Sequence, residues 1–424
     1  MGGKRVAVIG GGWAGLAAAV RATQAGHRVS LIEMAAQLGG RARRVDVQGL
    51  ALDNGQHILI GAYRSTLALM ATVGADSGAL LHRQPLTLRY PDGRGLRMPP
   101  GPPWLGFGVA VAACVGWRWH DRLALLRAAA AWALAGFRCD PALSVDTLCR
   151  RLPPAVRELL IDPLCVAALN TAATEASAQV FLRVLRDALF SGRGSADLML
   201  PRVDLGALLP APAERWLMAQ GAEVRLGRRV ERLARAGPGW QVDHEPFDAV
   251  VLACSAAEAA RLAQTIDPRW SASAAAIGYE PIVTVYLRCD GARLPSPMTA
   301  LFTSAAAPAQ YAFDHGALGA TAGLFAFVIS GARDWVALGL PATAEAVLQQ
   351  ARGALITHGG PAPTVLRVMA EKRATFRCVP ALQRPAPTIE AGLMAAGDYI
   401  DGPYPATLEG AVRSGEAAAL ALSA

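Results

Sequence analysis

The sequence VAVIGGGWAG, residues 6–15, opens the chain with a compact structural unit. Val6–Ile9 is an apolar run typical of a short buried strand. The glycine-rich turn that follows leads into an Ala/Leu-rich helix, Leu16–Ala25, and a second apolar strand, Val29–Ile32, ends at Glu33. This order of strand, glycine turn, helix, strand and acid is the pattern of a dinucleotide-binding βαβ unit.

Three glycines of the turn have separate tasks in such a unit. Gly10 makes the tight turn, Gly12 lets backbone N–H groups approach a pyrophosphate, and Gly15 lets the helix pack closely against the strand. The helix N-terminus presents unpaired N–H groups to the phosphates. Glu33 stands 23 positions after Gly10, where it can accept hydrogen bonds from a ribose. An acid at this position argues against a 2′-phosphate.

This nucleotide-binding pattern leaves FAD and NAD open, and the next motif separates them. The segment LGGRAR, residues 38–43, directly follows the second strand. It resembles the GGR signature of the flavin amine oxidase and phytoene desaturase superfamily, in which the segment runs along the FAD diphosphate. The resemblance implies FAD, with Gly40 and Arg41 among its binding residues. The alternative is a glycine-rich turn carrying solvated basic side chains.

Composition limits the classes of function. The 424 residues allow two or three domains with a large core. The net charge of +8 is carried almost wholly by arginine, since Lys4 and Lys372 are the only lysines. No basic run interleaved with aromatic residues indicates a nucleic-acid partner. A basic surface does favour an anionic membrane face.

The cysteines and the chain's first residues indicate a cellular location. Seven scattered cysteines without a CxxC motif predict neither a metal site nor a disulfide framework, which favours a reducing cytosol. The first strand begins within a few residues of Met1, so we expect no signal peptide. No apolar run reaches the ~18–20 residues of a spanning helix. The expected location is cytoplasmic.

The most apolar stretch, Trp104–Trp119, carries no charge as far as Trp117 and is followed by an Ala/Leu helix, Leu123–Phe137. At ~14 residues its uncharged part suits a buried or an interfacial helix rather than a spanning one. Its tryptophans, together with flanking arginines, fit a patch that binds the surface of a membrane. Core packing of a substrate domain is the alternative.

Later segments add to the cofactor site. The runs Glu223–Leu226 and Arg229–Leu233 predict strands, and in FAD enzymes of this class such strands place a backbone pair against the adenine, which implies Val230 here. After a buried strand, Gly397 and Asp398 put a carboxylate where a ribityl hydroxyl or a phosphate must be held.

The last helix begins near Glu409 and Gly410, and its N-terminus can stabilise negative charge at the N1–C2=O edge of a flavin. Motifs at both ends of the chain thus close one site. The predicted fold is α/β, a discontinuous Rossmann-type FAD-binding domain with an inserted α+β substrate domain. The predicted FAD-binding parts are residues 1–81, 201–280 and 365–424, with a helical substrate part at 82–200 and a substrate-domain sheet at 281–364. The predicted sheet strands are Pro281–Cys289, Ala300–Thr303, Tyr311–Asp314 and Gly323–Ile329.

Several stretches together resemble the squalene-associated FAD enzymes of hopanoid synthesis, the hydroxysqualene dehydroxylases. They are residues 53–63 (DNGQHILIGAY), 163–171, 371–375 and 397–414. The resemblance spans residues 6–418. It implies reduction of hydroxysqualene to squalene, with loss of an allylic hydroxyl and a hydride from reduced flavin. It also implies a long-chain isoprenoid substrate and an electron donor that the sequence does not identify. The apolar stretch with its tryptophans and arginines predicts association with the inner face of the cell membrane.

In the superfamily, the acid-x-Gly segment at this place reaches the flavin ring, which implies that Gly55, Gln56 and His57 lie near the isoalloxazine. The reaction needs a proton for the leaving hydroxyl. His57 and Asp53 are the polar candidates, with Tyr63 a weaker third. His57 could instead be satisfied by backbone hydrogen bonds, and Asp53 could pair with one of the neighbouring arginines.

Three other functions share some of these motifs. A phytoene-type desaturase uses the same flavin cradle in the opposite direction. An amine oxidase needs an aromatic cage around a cationic nitrogen, and only Tyr399 and Tyr404 lie near the carboxy-terminal motif. A prenyl-binding escort without flavin is disfavoured by the intact Glu33 and by the motifs around Arg41 and Asp398.

Overall fold

The computed structural model describes residues 3–356 and 361–422. Its strands are, in chain order, β1 Arg5–Ile9, β2 Arg28–Ile32, β3 Arg44–Val47, β4 Leu50–Asp53, β5 Leu59–Ile60, β6 Leu81–Gln84, β7 Thr87–Arg89, β8 Gly95–Arg97, β9 Leu198–Pro201, β10 Glu223–Arg225, β11 Leu233–Ala236, β12 Gly239–Val242, β13 Glu245–Phe247, β14 Ala249–Leu252, β15 Tyr279–Arg288, β16 Met298–Ala300, β17 Tyr311–Asp314, β18 Leu324–Ile329, β19 Thr364–Phe376, β20 Thr388–Glu390 and β21 Leu393–Ala395.

The helices follow the same order. They are α1 Trp13–Gln24, α2 Arg64–Thr72, α3 Ser77–Leu80, α4 Pro103–Ala112, α5 Trp119–Leu134, α6 Val145–Cys149, α7 Pro154–Val156, a π-helical turn Arg157–Ile161, α8 Asp162–Leu169, α9 Ala178–Phe190, α10 Leu205–Leu208, α11 Pro210–Ala219, α12 Ala256–Ala263, α13 Pro268–Ala275, α14 Arg333–Leu338, α15 Leu340–Ala354 and α16 Leu408–Ala421.

The nucleotide-binding sheet has the strand order β10-β2-β1-β14-β21-β20, parallel except for the edge strand β20. The apolar runs predicted from the sequence form β1 and β2, and the residues of these two strands and of β14 are almost all buried. Helix α1 packs against α16, the last helix of the chain. A Cβ on Gly415 would lie 2.0 Å from the Ala14 carbonyl oxygen, so only glycine permits this approach. The predicted Rossmann-type α/β fold is confirmed.

Some predicted elements differ from the observed ones. Residues 229–232 form no strand, and β11 begins only at Leu233. The predicted helix Trp104–Trp119 ends at Ala112. It ends there because Val115 pairs with Gly95 of the β7–β8 hairpin and because Gly116 adopts a positive φ of 98°.

A second, antiparallel sheet has the order β16-β17-β18-β15-β19. One face packs on α15, and the other face shares a core with the helical layer α4–α9. The predicted strands are confirmed, although the one expected at Ala300–Thr303 lies at Met298–Ala300. The boundary predicted at residue 365 is corrected, because β19 belongs to this sheet and the chain rejoins the nucleotide-binding sheet only at β20.

The helical layer contains a π-helical turn just before Pro163. A proline has no N–H for the carbonyl four residues earlier, here Leu159. The hydroxyl of buried Tyr90 donates to that Leu159 oxygen at 3.4 Å, and the Tyr311 hydroxyl of the second sheet donates to the Pro163 oxygen at 3.0 Å. The irregular turn is therefore fixed to the sheet by two tyrosines.

Asn170 joins the helical layer to the second sheet. It ends α8 in the left-handed conformation, with φ of 50°, and is buried. Its Nδ2 donates to Thr375 Oγ1 at 2.7 Å, and its Oδ1 accepts from the Gly331 N–H at 2.8 Å. Two stretches that carry the family resemblance, residues 163–171 and 371–375, thus meet at this side chain.

Replacing Asn170 with alanine should lower the free energy of unfolding by about 2–4 kcal/mol. The change removes the hydrogen bonds to Thr375 and Gly331, and it puts alanine, which has no polar side chain, into the left-handed region. Asn170→Gly removes the strain but not the lost hydrogen bonds, so it should recover only part of the deficit. Denaturant unfolding of the wild type and the two variants measures the cost of the lost hydrogen bonds and that of the backbone strain. An unchanged midpoint for Asn170→Ala would contradict the role of Asn170 in joining the helical layer to the second sheet.

Candidate active site

The glycine turn leaves a space at the N-terminus of α1. Gly12 is the N-cap, no side chain caps the helix, and no acid stands in its first turn. The first N–H groups of the helix therefore have no intrahelical partner. A Cβ built on Gly12 would meet only Gly40 Cα, at 3.9 Å, whereas one on Gly15 would lie 1.8 Å from the Gly10 oxygen. Gly15 is needed for packing, and Gly12 borders the space in which an anion would lie.

The GGR loop lies against this turn. The Gly39 N–H donates to the Gly11 oxygen at 2.9 Å, and a Cβ on Gly40 would be 3.1 Å from Gly12 Cα. Arg41 extends from the loop and forms an ion pair with Asp398 at 2.5 Å. Motifs from opposite ends of the chain therefore meet, as predicted.

Arg41 also reaches the second sheet, where its Nη1 donates to the Ala374 oxygen of β19 at 2.7 Å. Asp398 raises the pKa of the Arg41 guanidinium, although burial acts in the opposite direction and more strongly on its own. A cavity of about 160 Å³ opens beside Arg41 and is also lined by Ser255, Tyr279 and Arg373. Two guanidinium groups at one cavity suit an anionic group such as a diphosphate.

Glu33 lies at the carboxyl end of β2, where the sequence places it. Its Oε2 accepts from the Gly11 N–H at 2.6 Å and its Oε1 from the Ala35 N–H at 2.8 Å. These two bonds hold the buried carboxylate beside the glycine turn. Each oxygen has a further lone pair for a ribose hydroxyl.

Val230 is buried in the loop before β11. Its carbonyl oxygen accepts from Arg261 Nη2 at 2.6 Å. That contact fixes the backbone at the position predicted to face the adenine. Pairing of Val230 with adenine stays a prediction.

The carboxy-terminal motif contributes a second helix N-terminus. The Thr407 side chain caps α16 by accepting from the Gly410 N–H at 3.1 Å, so this N–H is already engaged. The N–H groups of Leu408 and Glu409, which precede it in the first turn, are the ones left for a ligand. The buried Tyr399 hydroxyl, two residues from Gly397, has no partner among the described residues.

The Glu409 side chain binds another helix, while its backbone lies at the N-terminus of α16, as predicted. Its carboxylate accepts from the N–H groups of Ser65 and Thr66, at 3.1 and 2.9 Å, from the Thr66 hydroxyl and from Arg413. It therefore caps helix α2 and is fully engaged by protein donors. Any contact of Glu409 with the cofactor would be through its backbone.

His57 is held by its own loop. Its Nδ1 lies 2.7 Å from the Gly55 oxygen, and because a carbonyl oxygen only accepts, Nδ1 carries the proton. Its Nε2 makes no hydrogen bond within the described part of the chain and is open to accept or, once protonated, to give a proton. Burial lowers the pKa of the His57 imidazole below its usual 6.5, the Gly55 bond opposes this, and Arg41 adds to the lowering.

Asp53 anchors the same loop. Its Oδ1 accepts from the Leu205 N–H of α10 at 2.8 Å, and its carbonyl oxygen accepts from the Tyr286 hydroxyl at 3.0 Å. Burial raises the pKa of its carboxyl to about 7. The pairing with Arg41 or Arg44 considered from the sequence is not formed, since those arginines bind Asp398 and Asp46.

Gln56 and Tyr63 complete the predicted set. The buried Gln56 Oε1 has no partner in the described residues, although its Nε2 donates weakly to the His57 oxygen at 3.4 Å. Tyr63 lies beside Thr407 and Glu409, and burial raises the pKa of its phenol well above the usual value, so the hydroxyl stays protonated.

The fit to FAD rests on these features together: an uncapped helix N-terminus, a glycine-bordered space, an anchored acid and an unpartnered tyrosine hydroxyl. The model of the family described as flavin containing amine oxidoreductase matches residues 13–423. The chain belongs to this family. It is an FAD-dependent oxidoreductase.

Individual members and structures agree with this assignment. Hydroxysqualene dehydroxylase of Rhodopseudomonas palustris is 30% identical over 98% of this chain and 97% of its own length. That of Sinorhizobium fredii is 29% identical over 99% of both chains. The crystal structure of an oxidoreductase from Methanosarcina mazei has a TM-score of 0.74, with 16% identity over 97% of this chain and 99% of its own. The last comparison shows the shared fold.

The structure places further polar residues near Gly55 that were not predicted from the sequence. Thr284 and Tyr286 project from β15 toward residues 53–55, and His315 packs on the Tyr286 ring at 5.9 Å between centroids. Burial lowers the pKa of His315 to about 4, which keeps it neutral. The available signal was a pair of hydroxyl-bearing residues within the otherwise apolar run PIVTVYL, residues 281–287.

Proposed function

We propose that this protein reduces hydroxysqualene to squalene, removing the allylic hydroxyl as water. The observation that supports this most is the similarity to hydroxysqualene dehydroxylases along the full length of the chain. FAD, when bound in its reduced form, supplies the hydride that replaces the hydroxyl. The protein must then provide a proton, hold the alcohol in place and exclude water.

The apolar surroundings suit a C30 hydrocarbon. The face of the second sheet that meets the helical layer is formed by residues such as Ile282, Val328 and Met369. The loop that contains Gly55 and His57 contributes a few polar atoms at this otherwise apolar face. An isoprenoid alcohol has one polar group in a long apolar chain, which matches this distribution.

His57 is the proposed proton donor. Its Nδ1 is fixed on the Gly55 oxygen, so Nε2 is the nitrogen that gains a proton from solvent and passes it to the leaving oxygen. The low pKa makes the imidazolium a strong acid when it forms. Asp53, whose carboxylate is engaged with α10, positions the loop.

Amine oxidation is less well supported, because Tyr399 and Tyr404, the two tyrosines that could form an aromatic cage for a substrate cation, have other contacts. The Tyr404 ring already lies between Arg183 and Arg413, whose Cζ atoms are 4.7 and 5.2 Å from its centroid, and Arg183 donates to its hydroxyl. The Tyr399 ring packs under Gly397, where an added Cβ would come within 2.6 Å of it. Both rings are therefore already in contact with groups of the protein itself.

Mixing reduced enzyme with hydroxysqualene without oxygen tests the proposal. The absorbance of oxidised flavin should return at a rate that depends on the concentration of the alcohol. Squalene, which lacks the hydroxyl, should leave the flavin reduced. Reoxidation by neither compound would reject the proposed function.

We further propose that α4 and α5 bind the inner face of the cell membrane, from which the isoprenoid would enter. Their outward side chains include Trp104, 57% exposed, Trp119, 74% exposed, and Leu134, 91% exposed. The exposed Arg118 and Arg127 stand among them and suit anionic headgroups. Trp117, by contrast, is buried and donates to the Ala155 oxygen at 3.0 Å, so it belongs to the core.

No helix within residues 3–356 and 361–422 is long and apolar enough to cross a bilayer. Attachment through α4 and α5 would therefore lie in the plane of the interface. The electron donor that reduces the flavin is proposed only as a separate, unidentified partner.

Replacing both Trp104 and Trp119 with serine should lower the affinity for anionic phospholipid vesicles at least about tenfold, because two exposed indoles no longer enter the interface. The melting temperature should stay within a degree or two, since both side chains are exposed. Trp117→Ser is the matched control and should cost about 3–5 kcal/mol of stability. Unchanged vesicle binding by the double variant would contradict the membrane patch.

A further inference from the structure

Thr284 carries a hydroxyl that the protein itself does not satisfy. The residue is 1% exposed, and its Oγ1 has no hydrogen-bond partner among the described residues. Its cross-strand neighbours on the same face are Val328 and Met369. An unsatisfied buried hydroxyl is costly, and valine would fill the same volume without that cost. The unsatisfied hydroxyl therefore indicates a position where a ligand binds.

The surroundings of Thr284 show where this ligand would bind. Thr284 Oγ1 lies 3.9 Å from the position of a Cβ on Gly55, so it faces that glycine. His57 is bonded to the Gly55 oxygen, with its Nε2 free of protein partners in the described residues. The buried Gln56 Oε1 on the same loop is also unpartnered. Two buried atoms without a partner, Thr284 Oγ1 and Gln56 Oε1, and the Nε2 of partly exposed His57 thus lie at or beside Gly55.

We propose that the Thr284 hydroxyl binds the oxygen of the substrate alcohol and holds it for protonation by His57. This inference rests on the proposed function and identifies how that site would distinguish an isoprenoid alcohol from the hydrocarbon product. Thr284 donates to the alcohol oxygen. When the C–O bond breaks, that oxygen takes the proton from His57 and leaves as water. FAD, bound in its reduced form, would supply the hydride that replaces it.

The arrangement also accounts for product release. Squalene has no oxygen, so it makes no hydrogen bond with Thr284. The same hydroxyl that favours binding of the alcohol therefore does not hold the product. Thr284 acts as a positioning and specificity residue for the alcohol.

The test uses the FAD-loaded, oxidised enzyme, which binds hydroxysqualene without turning it over. Binding of the alcohol and of squalene is followed by the change in flavin absorbance. Wild-type enzyme should bind the alcohol more tightly, and Thr284→Val should weaken binding of the alcohol about three- to tenfold while leaving that of squalene unchanged. Thr284→Ser keeps a hydroxyl and should restore the preference.

A structural role predicts different results. Because Thr284→Val removes an unsatisfied hydroxyl, the substrate-free holoenzyme should melt at the same temperature as the wild type or higher. Thr299 of β16 is the matched control, since it is equally buried in the same sheet but bonded to the Ser296 oxygen at 3.2 Å. Thr299→Val should lower the melting temperature and leave the preference for the alcohol intact.

Three results would overturn the proposal. They are an equal loss of affinity for the alcohol and squalene, a loss of FAD affinity or a changed flavin spectrum in substrate-free Thr284→Val, and no preference for the alcohol in the wild type. The second result would assign the hydroxyl to the flavin. Failure of the proposed function has a separate readout, the absence of squalene after reaction of the reduced wild-type enzyme.

Discussion

Gly12→Val should give a folded but colourless protein. The backbone at Gly12 has φ of −73°, which any residue adopts, and an added Cβ meets only Gly40 Cα at 3.9 Å. The valine methyl groups would enter the space in front of the first N–H groups of α1. Loss of charge-assisted hydrogen bonds to a pyrophosphate should weaken FAD binding at least about a hundredfold. Flavin absorbance per protein, with apoprotein melting as a check of folding, measures the effect.

Gly15→Ala is the control for this prediction, because its Cβ would lie 1.8 Å from the Gly10 oxygen. That variant should fail in folding rather than selectively in cofactor binding. Full retention of FAD by Gly12→Val would mean that the pyrophosphate does not lie at this turn.

His57→Ala should slow oxidation of the reduced flavin by hydroxysqualene about 10²–10⁴-fold, as expected for loss of a general acid. FAD should remain bound, since the contacts assigned to the cofactor lie elsewhere. Burial lowers the pKa of His57, so its acidic form is the major one only at a lower pH than for an ordinary histidine, and the wild-type rate should fall as the pH rises above that lowered pKa. Stopped-flow rates across pH should show this dependence in the wild type and not in the variant.

Asp53→Asn separates the two candidate acids. Asparagine keeps an oxygen for the Leu205 N–H, so a positioning role predicts a loss in rate of less than about tenfold. A loss of about 10²–10⁴-fold in Asp53→Asn, together with an unchanged rate in His57→Ala, would make Asp53 the acid.

The nucleotide-binding core was predictable because its signals are local. The apolar runs that form β1 and β2, the glycines between them and Glu33 lie within a single βαβ unit, where spacing fixes geometry. The meeting of Arg41 with Asp398, residues from opposite ends of the chain, followed only because both motifs belong to one recognisable site.

The remaining features depend on tertiary contacts. Nothing local to Glu409 shows that its carboxylate would cap α2, whose Ser65 and Thr66 are more than 340 positions away. The break after Ala112 depends on pairing of Val115 with another hairpin. The role proposed for Thr284 depends on the tertiary contact that places β15 against Gly55. Periodicity predicts the strand but not which of its side chains lacks a partner.

Product analysis after a single turnover tests most directly whether the enzyme reduces the alcohol rather than oxidises a hydrocarbon. Photoreduced enzyme is mixed with hydroxysqualene under nitrogen, and the lipid products are quantified against the flavin that is reoxidised. One squalene should form for each flavin that is oxidised. Reduction of the oxidised enzyme by squalene or phytoene, with no squalene formed from the alcohol, would contradict it.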